Sequence, residues 1–385
     1  MKTTIGIVAG EASGDLLGSR LIRALKKHRP DLEFVGIAGP KMIAEGAKSL
    51  FPMDKLSLHG YGLDVLKQIP SVLKIRNKLY QQFVSNPPDV FIGIDAPDFN
   101  FSLEQKLKKK GVNTIHYVSP SIWAWRKGRM NKIKRAANHI LALFPFEPAL
   151  YTAAGVKATY VGHPMADEIP LFPDTQEARD QLKLDQHPFI IAMLPGSRVG
   201  EVKQHAELFV QTAKKIAAIH ENALFLVPLI TRETRHIFEQ IMYKNMTDHP
   251  ELTPPNIKVL FGHASLAMQA SDLVLVASGT ATIEAALLKR PMVITYRMPW
   301  LSWQLLKRMN YLPWVGLPNI LAERFVVPEL LQDDATPDNL SEAMMSILGN
   351  KLAMDDIRAD FTKMHESLRQ NNEETAAQAV LAYLK

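Results

Sequence analysis

The sequence contains no cysteine among its 385 residues. Disulfide bonds, thiolate nucleophiles and thiolate-bound metals are therefore excluded. No apolar run approaches the roughly 20 residues that a membrane-spanning helix needs. The apolar segment Ile5–Gly10 is too short for a signal peptide, and Glu11 follows it directly. These absences make the cytoplasm the expected location.

Metal-binding and dinucleotide-binding patterns are also missing. The chain has no Asp-x-Asp sequence, no histidine cluster with metal-ligand spacing and no Gly-x-Gly-x-x-Gly fingerprint. The sequence therefore predicts no metal and no other cofactor, and an arginine together with a helix dipole would have to neutralise any bound diphosphate.

Basic residues are in moderate excess. The net charge of +6 would suit a phosphate ligand or an anionic membrane surface. Six of the ten residues from Arg126 to Arg135 are basic and none is acidic. Such a run is usually a solvated helix face, but it could also bind anionic headgroups, with Trp123 and Trp125 at the interface. No nucleic-acid-binding motif accompanies it, so we expect no nucleic acid partner.

The stretch from Leu56 to Val72 is dense in apolar residues without clean amphipathic spacing. Core packing explains it most simply. The alternative is a lip that takes up acyl chains or touches a bilayer.

Apolar strands alternate with helices along most of the chain. This pattern predicts an α/β fold of two doubly wound, Rossmann-like domains, with ligands in the cleft between them at the carboxyl ends of the strands. The expected strands are Thr4–Ala9, Glu33–Ala38, Asp89–Asp95, Asn113–Val118, His139–Leu143, Ala158–Val161, Pro188–Leu194, Ala223–Ile230, Ile257–Phe261, Asp272–Ala277 and Met292–Tyr296. Helices are expected at Gly14–His28, Glu201–His220 and Arg232–Met246.

Domain boundaries are expected near the proline-rich segment Gly162–Pro173. We expect a first domain over residues 1–165, a second over 166–350, and a helical tail over 351–385 that could return to the first domain. The oligomeric state is left open, with a homodimer among the expected partners.

A diphosphate site is predicted where the strand Leu273–Ala277 meets the turn Ser278-Gly279-Thr280 and a helix that begins with Ala281 and Thr282. Helix N-termini present unpaired N–H groups, and Gly279 would let a ligand approach the backbone. Glu284, one turn inside the helix, could accept hydrogen bonds from a ribose diol. The alternative is an ordinary strand–turn–helix joint with a capping hydroxyl.

A second turn of this type ends at Arg198, which could bind a diphosphate and neutralise a leaving group. The alternative is an arginine that pairs with a neighbouring acid. Asn319, after Pro318, could contact a nucleotide or a sugar, or it could simply form a turn.

In the first half, the turn Gly10–Gly18 follows the first strand and carries Glu11, Ser13 and Asp15. The two carboxylates could grip sugar hydroxyls, or they could cap the helix. Asp95 ends a buried strand, where a carboxylate is costly unless it is paired or functional. Asp98 is more typical of a cap or a turn, although it stays among the candidate substrate-binding residues.

Six motifs together resemble the lipid-A-disaccharide synthase family. They are Val8–Asp15, Gly93–Asn100, Ser119–Trp125, Leu194–Arg198, Ala277–Glu284 and Leu317–Ala322. The resemblance implies a GT-B fold and an inverting, metal-independent glycosyl transfer. UDP-2,3-diacylglucosamine would donate its sugar to 2,3-diacylglucosamine 1-phosphate (lipid X), giving a β-1,6-linked lipid A disaccharide 1-phosphate and UDP. It also implies a peripheral enzyme on the cytoplasmic face of the inner membrane.

The resemblance also implies roles for individual residues. Asp95 would be the base, Arg198 and Ser278–Thr282 the diphosphate site, and Glu284 the ribose ligand. Asn319 would lie near the donor and Glu11 near the sugars. Glu323 departs from the family pattern, in which a smaller residue is expected. If Asp95 is not the base, Glu11 or His116 is the alternative.

Two other functions fit the same residues. One is a different UDP-sugar enzyme of similar fold, such as a UDP-N-acetylglucosamine 2-epimerase or a muramyl-type transferase. A water-soluble substrate would leave the Leu56–Val72 stretch and the basic run without a purpose. The other is a non-catalytic module that binds a nucleotide sugar or a membrane, for which Asp95 and Glu11 would be unnecessary.

Overall fold

The computed structural model describes residues 3–56, 63–123, 127–184, 189–248, 254–300, 302–304 and 312–384. Two compact units make up the chain. The first holds residues up to Asp167 together with those from Leu368 onward, and the second runs from Glu168 to Ser367. Within the described residues, no helix is long and apolar enough to cross a membrane.

The first unit contains a seven-stranded parallel sheet in the order β3-β2-β1-β4-β5-β6-β7. Its strands are β1 Thr4–Ala9, β2 Glu33–Ile37, β3 Ala47–Ser49, β4 Val90–Ile94, β5 Asn113–Tyr117, β6 His139–Ala142 and β7 Lys157–Tyr160. Its helices are α1 Ala12–His28, α2 Pro40–Ala44, α3 Leu63–Ser85, α4 Pro97–Lys108, α5 Met130–Ala136 and α6 Glu147–Ala153, and α7 Pro164–Glu168 follows at the boundary between the units.

The second unit contains a six-stranded parallel sheet in the order β10-β9-β8-β11-β12-β13. Its strands are β8 Phe189–Leu194, β9 Ala223–Leu229, β10 Asn256–Phe261, β11 Leu273–Ala277, β12 Met292–Tyr296 and β13 Glu329–Leu331. Its helices are α8 Thr175–Leu182, α9 Val199–Ala217, α10 Arg232–Asp248, α11 Ala264–Ala270, α12 Ala281–Leu287, α13 Leu317–Ala322, α14 Pro337–Leu348 and α15 Lys351–Leu368.

The central strands are buried along their whole length, as in β4 and β11. A strand covered on both faces needs apolar residues at every position, which is why these strands appear as continuous apolar runs in the sequence. The predicted fold class is confirmed, and each expected strand is present to within a residue or two. The prediction missed β3 and β13, which have three residues each and no buried apolar run.

The chain ends with α16, Asn372–Leu381, which packs on α1 in the first unit. Asn372 fixes this return, since its amide donates to the carbonyl of Gly162 at 2.9 Å and its Oδ1 accepts from the Tyr117 hydroxyl at 2.6 Å. The Asp167 carboxylate accepts from the backbone N–H groups of Asn371 and Asn372. Hydrogen bonds across about 200 residues of chain therefore anchor this helix to the first sheet.

Candidate active site

Three turns meet at one edge of the first sheet. β4 pairs with both β1 and β5, so the carboxyl ends of the three strands lie side by side. A Cβ at Gly10 would come within 2.8 Å of that of Ala96, so the turns after β1 and β4 are in contact. The edge therefore brings the Glu11 turn, Asp95 and the segment after β5 together.

The backbone at this edge is strained at three non-glycine residues. Asp95, Ala96 and Val118 have φ angles of 49°, 43° and 77°. Each such residue costs roughly 1–3 kcal/mol and persists only where the surroundings impose it, most often at functional sites. Asn100 supplies part of that constraint, since its amide donates to the carbonyl of Asp95 at 2.8 Å.

The Asp95 side chain lines a pocket of about 280 Å³. The other lining residues are Pro97, Val118, Ser119, Pro120, Ser121, Ile122 and Arg129. Asp95 is only partly buried, and its carboxylate accepts no hydrogen bond from the part of the chain that the structure describes. A carboxylate on a rigid turn with unused lone pairs can accept a substrate proton.

Glu11 and Ser13 are exposed at the start of α1, where Glu11 is the N-cap residue. The carbonyl of Glu11 accepts from the Asp15 N–H, and no side-chain capping bond forms. Both residues are accessible to a ligand beside the Asp95 turn.

Asp15 has a different place from the one expected of a sugar ligand. It is 3% exposed, and its two oxygens accept from the backbone N–H groups of Lys41 and Met42 at 2.9 and 3.0 Å. The carboxylate thus satisfies the first amides of α2. We reassign Asp15 to a structural role, at the start of α2 and not at the start of its own helix α1, which the capping alternative had named.

Asp98 is 79% exposed and pairs with Arg129 at 3.3 Å. Its carbonyl accepts from Arg76, at 3.4 Å. It does not line the pocket that contains Asp95. We therefore take the structural alternative for Asp98 as well.

His116, the alternative base, is fully buried within β5. Its Nδ1 lies 2.7 Å from a carboxylate oxygen of Glu104, which is equally buried. Burial raises the pKa of Glu104, while His116 opposes that shift. A histidine with no exposed surface cannot reach an acceptor hydroxyl, so His116 is excluded as the base.

In the second unit, β8 and β11 are neighbours, so the two predicted phosphate turns follow adjacent strand ends. Glu201 organises the first turn by accepting from the backbone N–H groups of Ser197 and Arg198 at 2.9 and 3.2 Å. The Arg198 guanidinium lies 3.2 Å from the other oxygen of Glu201, yet its side chain is 76% exposed. An exposed pair of this kind is weak, which leaves the arginine available to an anion.

The second turn is open at its centre. Gly279 has φ of 154°, and a Cβ there would meet nothing within 4 Å. Gly279 and Thr280 are exposed, and Ser278 and Ala281 are partly exposed. Thr282 differs from them, because it is fully buried and its hydroxyl donates to the carbonyl of Gly279 at 2.7 Å. Its hydroxyl therefore shapes the turn and is not free for a phosphate.

Glu284 follows on α12 and is partly buried. Burial raises the pKa of its carboxyl group, a hydrogen bond from Ser265 lowers it, and the charge of Glu168 raises it. The residue retains enough surface to contact a ligand lying on the turn.

Asn319 is fully buried in α13. Its Oδ1 accepts from the backbone N–H groups of Val326 and Val327, and its amide donates to the carbonyl of Val327 and to Glu329. With its hydrogen-bonding capacity used, Asn319 holds the loop together and we reassign it to structure. Glu323 ends this helix with φ of 53°, a conformation that favours glycine.

Sequence reasoning missed His205, which joins two turns of the second unit. Its Nδ1 lies 3.0 Å from the carbonyl of Pro195, and its Nε2 accepts from the Arg297 N–H at 2.9 Å. Only the neutral ring can make both bonds, and burial lowers the pKa of His205 accordingly. No local pattern marks this residue, because both partners come from other elements.

A second missed residue is Glu147, the first residue of α6, which is 1% exposed. It accepts a hydrogen bond from Trp123, which directly follows the residues that line the Asp95 pocket. In the part of the chain that the structure covers, no three acidic or histidine side chains are grouped as metal ligands.

The fold is shared with nucleotide-sugar enzymes of known structure. A UDP-N-acetylglucosamine 2-epimerase from Neisseria meningitidis, bound to UDP-GlcNAc, matches with a TM-score of 0.60 at 11% identity, over 100% of this chain and 99% of that one. The enzyme from Methanocaldococcus jannaschii, in complex with UDP-GlcNAc and UDP, matches with a TM-score of 0.57 at 15% identity over both whole chains. At such identities the likeness shows the GT-B-like fold alone.

Sequence relatives are far closer. The family model for lipid-A-disaccharide synthetase matches residues 5–382. The lipid-A-disaccharide synthase of Methylobacillus flagellatus is 62% identical over 99% of this chain and 100% of its own. That of Dechloromonas aromatica is 56% identical over 99% of this chain and 98% of its own. The chain therefore belongs to the lipid-A-disaccharide synthase family of glycosyltransferases.

Proposed function

We propose that the chain performs its family's transfer with Asp95 as the base and with Arg198 and the turn Ser278–Thr280 as the diphosphate site. The donor is UDP-2,3-diacylglucosamine, the acceptor is 2,3-diacylglucosamine 1-phosphate, and the products are the β-1,6 disaccharide 1-phosphate and UDP. The observation that carries the proposal is the accessible carboxylate of Asp95, on a strained turn and without a hydrogen-bond partner among the described residues.

The reaction needs one base and one stabilised leaving group. Asp95 takes the proton of the acceptor's 6-hydroxyl, and the oxygen of that hydroxyl forms a bond to the anomeric carbon of the donor. The bond between that carbon and the UDP oxygen breaks on the opposite face, so the configuration inverts. The electron pair leaves with UDP.

Arg198 is placed to bind the diphosphate, since its side chain is 76% exposed and it follows a strand that neighbours the strand before the open Gly279 turn. An arginine can contact two phosphate oxygens at once. Glu284 would bind the ribose, and the exposed Glu11 and Ser13 would contact the sugars near Asp95. With no Asp-x-Asp in the sequence, arginine replaces the metal in this scheme; undiminished turnover in EDTA is the expected result.

We also propose that the protein binds the anionic surface of the inner membrane from its cytoplasmic side. Exposed apolar and basic residues share the outer face of α3, where Leu73, Lys74 and Lys78 line an open groove. Helix α4 packs against both α3 and α5, and Lys134 and Arg135 of α5 are exposed. Parts of the two predicted membrane segments lie outside the described residues, namely residues 57–62 of the first and Trp125 and Arg126 of the second.

The test of the chemistry is Asp95→Asn, with Asp98→Asn as a matched control on the same turn. Asparagine keeps the shape and removes the basicity, so kcat should fall roughly 10²–10⁴-fold. UDP affinity should not change, and the control should retain turnover. Normal turnover in Asp95→Asn with loss in Glu11→Gln would instead make Glu11 the base.

A further inference from the structure

One wall of the Asp95 pocket is formed by residues Val118 to Ile122. Together with Trp123, which follows them directly, we call this segment the β5 wall. It begins at Val118, whose φ of 77° is an outlier for a β-branched residue. Its Ser119 and Ile122 line the pocket itself. A strained segment keeps its conformation only if its surroundings hold it, so the groups behind the β5 wall decide the shape of the pocket.

The group behind the β5 wall is the carboxylate of Glu147. Its Oε1 accepts from the indole Nε1–H of Trp123 at 3.1 Å, and its Oε2 accepts from the Phe144 N–H at 3.0 Å. The Ser119 hydroxyl lies 2.5 Å from the Tyr151 hydroxyl, one turn further along α6. Helix α6 thus bonds both ends of the β5 wall, Trp123 through Glu147 and Ser119 through Tyr151.

Aromatic packing limits how the indole can move. Trp123 meets Phe146 edge-to-face with ring centroids 5.3 Å apart, and it meets Phe144 in the same way at 6.3 Å. The rings of Phe144 and Phe146 are themselves stacked at 5.8 Å. With the ring packed against these two phenylalanines, the hydrogen bond to Glu147 fixes the position of the indole at the end of the β5 wall.

Burying a carboxylate costs free energy unless its oxygens are hydrogen-bonded, and both oxygens of Glu147 are. Burial raises the pKa of Glu147 to about 7, and its hydrogen bonds, first that from Phe144, oppose this shift. The titratable neighbours are Tyr151 on the same helix and Tyr160 on β7, both with pKa values raised by burial. His163 faces the Phe144 ring, and burial lowers its pKa to about 4. Both tyrosines and the histidine are therefore neutral around pH 7, and Glu147 is the group that changes charge there.

We infer that Glu147 is a positioning residue for the transfer, which holds the β5 wall against Asp95 through Trp123. The inference rests on the proposed role of Asp95 as the base. Each carboxylate oxygen accepts from one N–H group, so both donors keep a full acceptor only when the group is ionised. When Glu147 is protonated, one oxygen carries a hydrogen, one donor loses its acceptor, and the wall loosens.

The test compares Glu147→Gln and Trp123→Phe with the wild-type enzyme between pH 5.5 and 8.5. Glutamine offers only one carbonyl oxygen to the two N–H donors at any pH, so kcat should fall roughly 10–100-fold on the plateau above pH 7, as expected for a small misplacement of the pocket. Donor KM should stay within about twofold of wild type, since the diphosphate turns belong to the second unit. The ratio of the wild-type kcat to that of Glu147→Gln should shrink as pH falls through 7.

Trp123→Phe keeps the ring packing and removes the indole donor. Its kcat should fall about 3- to 10-fold, and it carries the test if Glu147→Gln does not fold. The indole N–H resonance of Trp123, identified by its loss in this variant, should titrate near pH 7 in the wild type. Tyr151→Phe is the control. It removes a hydroxyl from the same buried network but leaves the carboxylate and the indole, so the change of kcat and of the indole resonance near pH 7 should remain.

A kcat ratio that does not change with pH, together with an indole resonance that does not titrate, would overturn the inference and leave Glu147 as part of the core. Asp95→Asn, measured in parallel, separates this from a failure of the proposed function. If Asp95→Asn is inactive and the ratio is flat, only the positioning role fails. If Asp95→Asn is fully active, the base assignment fails and the positioning role fails with it.

Discussion

Both candidate sites contain backbone positions with positive φ, but different residue types occupy them. At the edge of the first sheet, the left-handed positions are Asp95, Ala96 and Val118. In the two predicted phosphate turns of the second unit, they are Gly196 and Gly279. Glycine adopts such angles without steric cost, whereas a side chain must be held there by its neighbours.

The difference matches the proposed tasks. A base must present one side chain at a fixed point, so a strained turn with buried support behind it, as at Glu147, is appropriate. A diphosphate is bound largely through backbone N–H groups, so the turn must let the ligand approach closely, and glycine permits this. The first site therefore depends on side chains held in strained positions, whereas the Ser278–Thr280 turn of the second depends on the open space at Gly279.

Arg198→Ala gives the largest effect expected at the second site. Losing a charge-assisted contact costs about 1.5–3 kcal/mol, so UDP affinity should fall roughly 10- to 150-fold by titration calorimetry. Lys203→Ala, on the exposed side of the same helix, removes an equal charge and should have little effect. Equal losses in both variants would mean that the net charge of the unit, and not the turn, binds UDP.

Exchanging the two kinds of turn tests the comparison itself. Gly279→Ala places a Cβ at φ of 154° and should cost about 1–3 kcal/mol of stability or of UDP affinity. Ala96→Gly removes a Cβ from a strained position and should stabilise the fold or leave it unchanged, while kcat falls because the turn is less rigid. If Ala96→Gly kept full kcat, rigidity at the first site would be irrelevant to turnover.

His205→Phe tests how the second site is held. The ring packs against Phe209 and Tyr296, and phenylalanine would keep that packing but lose both hydrogen bonds. UDP affinity should fall by about 1 kcal/mol.

The same variant has a pH signature. Burial lowers the pKa of His205 in the folded chain below its ordinary value of 6.5. At a pH between the folded and the unfolded pKa, the unfolded chain therefore binds a proton that the folded chain does not. The free energy of unfolding should therefore rise with pH up to about 6.5, and this increment should vanish in His205→Phe. Denaturant titrations across that range would measure it; an identical slope in both proteins would contradict it.

The smallest expected effect is on membrane binding. Each basic residue near an anionic surface contributes about 1 kcal/mol, so Lys134→Ala with Arg135→Ala should weaken sedimentation with phosphatidylglycerol liposomes. Added salt should weaken wild-type binding in the same assay. Lys27→Ala with Lys48→Ala, which are exposed toward the opposite end of the first sheet, is the charge-matched control. Binding that neither change affects would leave α5 as a solvated helix.

Much of the candidate site was predictable because its residues follow strand ends. Asp95 and Ser278 each come directly after a continuous apolar run. Parallel strands place such positions together at the carboxyl edge of their sheet. Their chemical roles remain predictions. Asp15 and Asn319 lie in equally suggestive motifs, yet in the structure their side-chain oxygens accept hydrogen bonds from backbone N–H groups. A motif shows which residues matter, but it does not show whether a ligand or the fold uses them.

The sequence by itself determined the alternation of strands and helices, because burial on both faces requires apolar residues within each short segment. Tertiary structure alone decided which polar groups are satisfied. The backbone N–H groups that donate to the Asp15 carboxylate lie 26 and 27 residues further along the chain. The hydroxyl that meets Asn372 comes from Tyr117, 255 residues away. Hydrogen bonds between distant segments leave no periodic trace in the sequence, so only the folded chain shows which side chains remain free for chemistry.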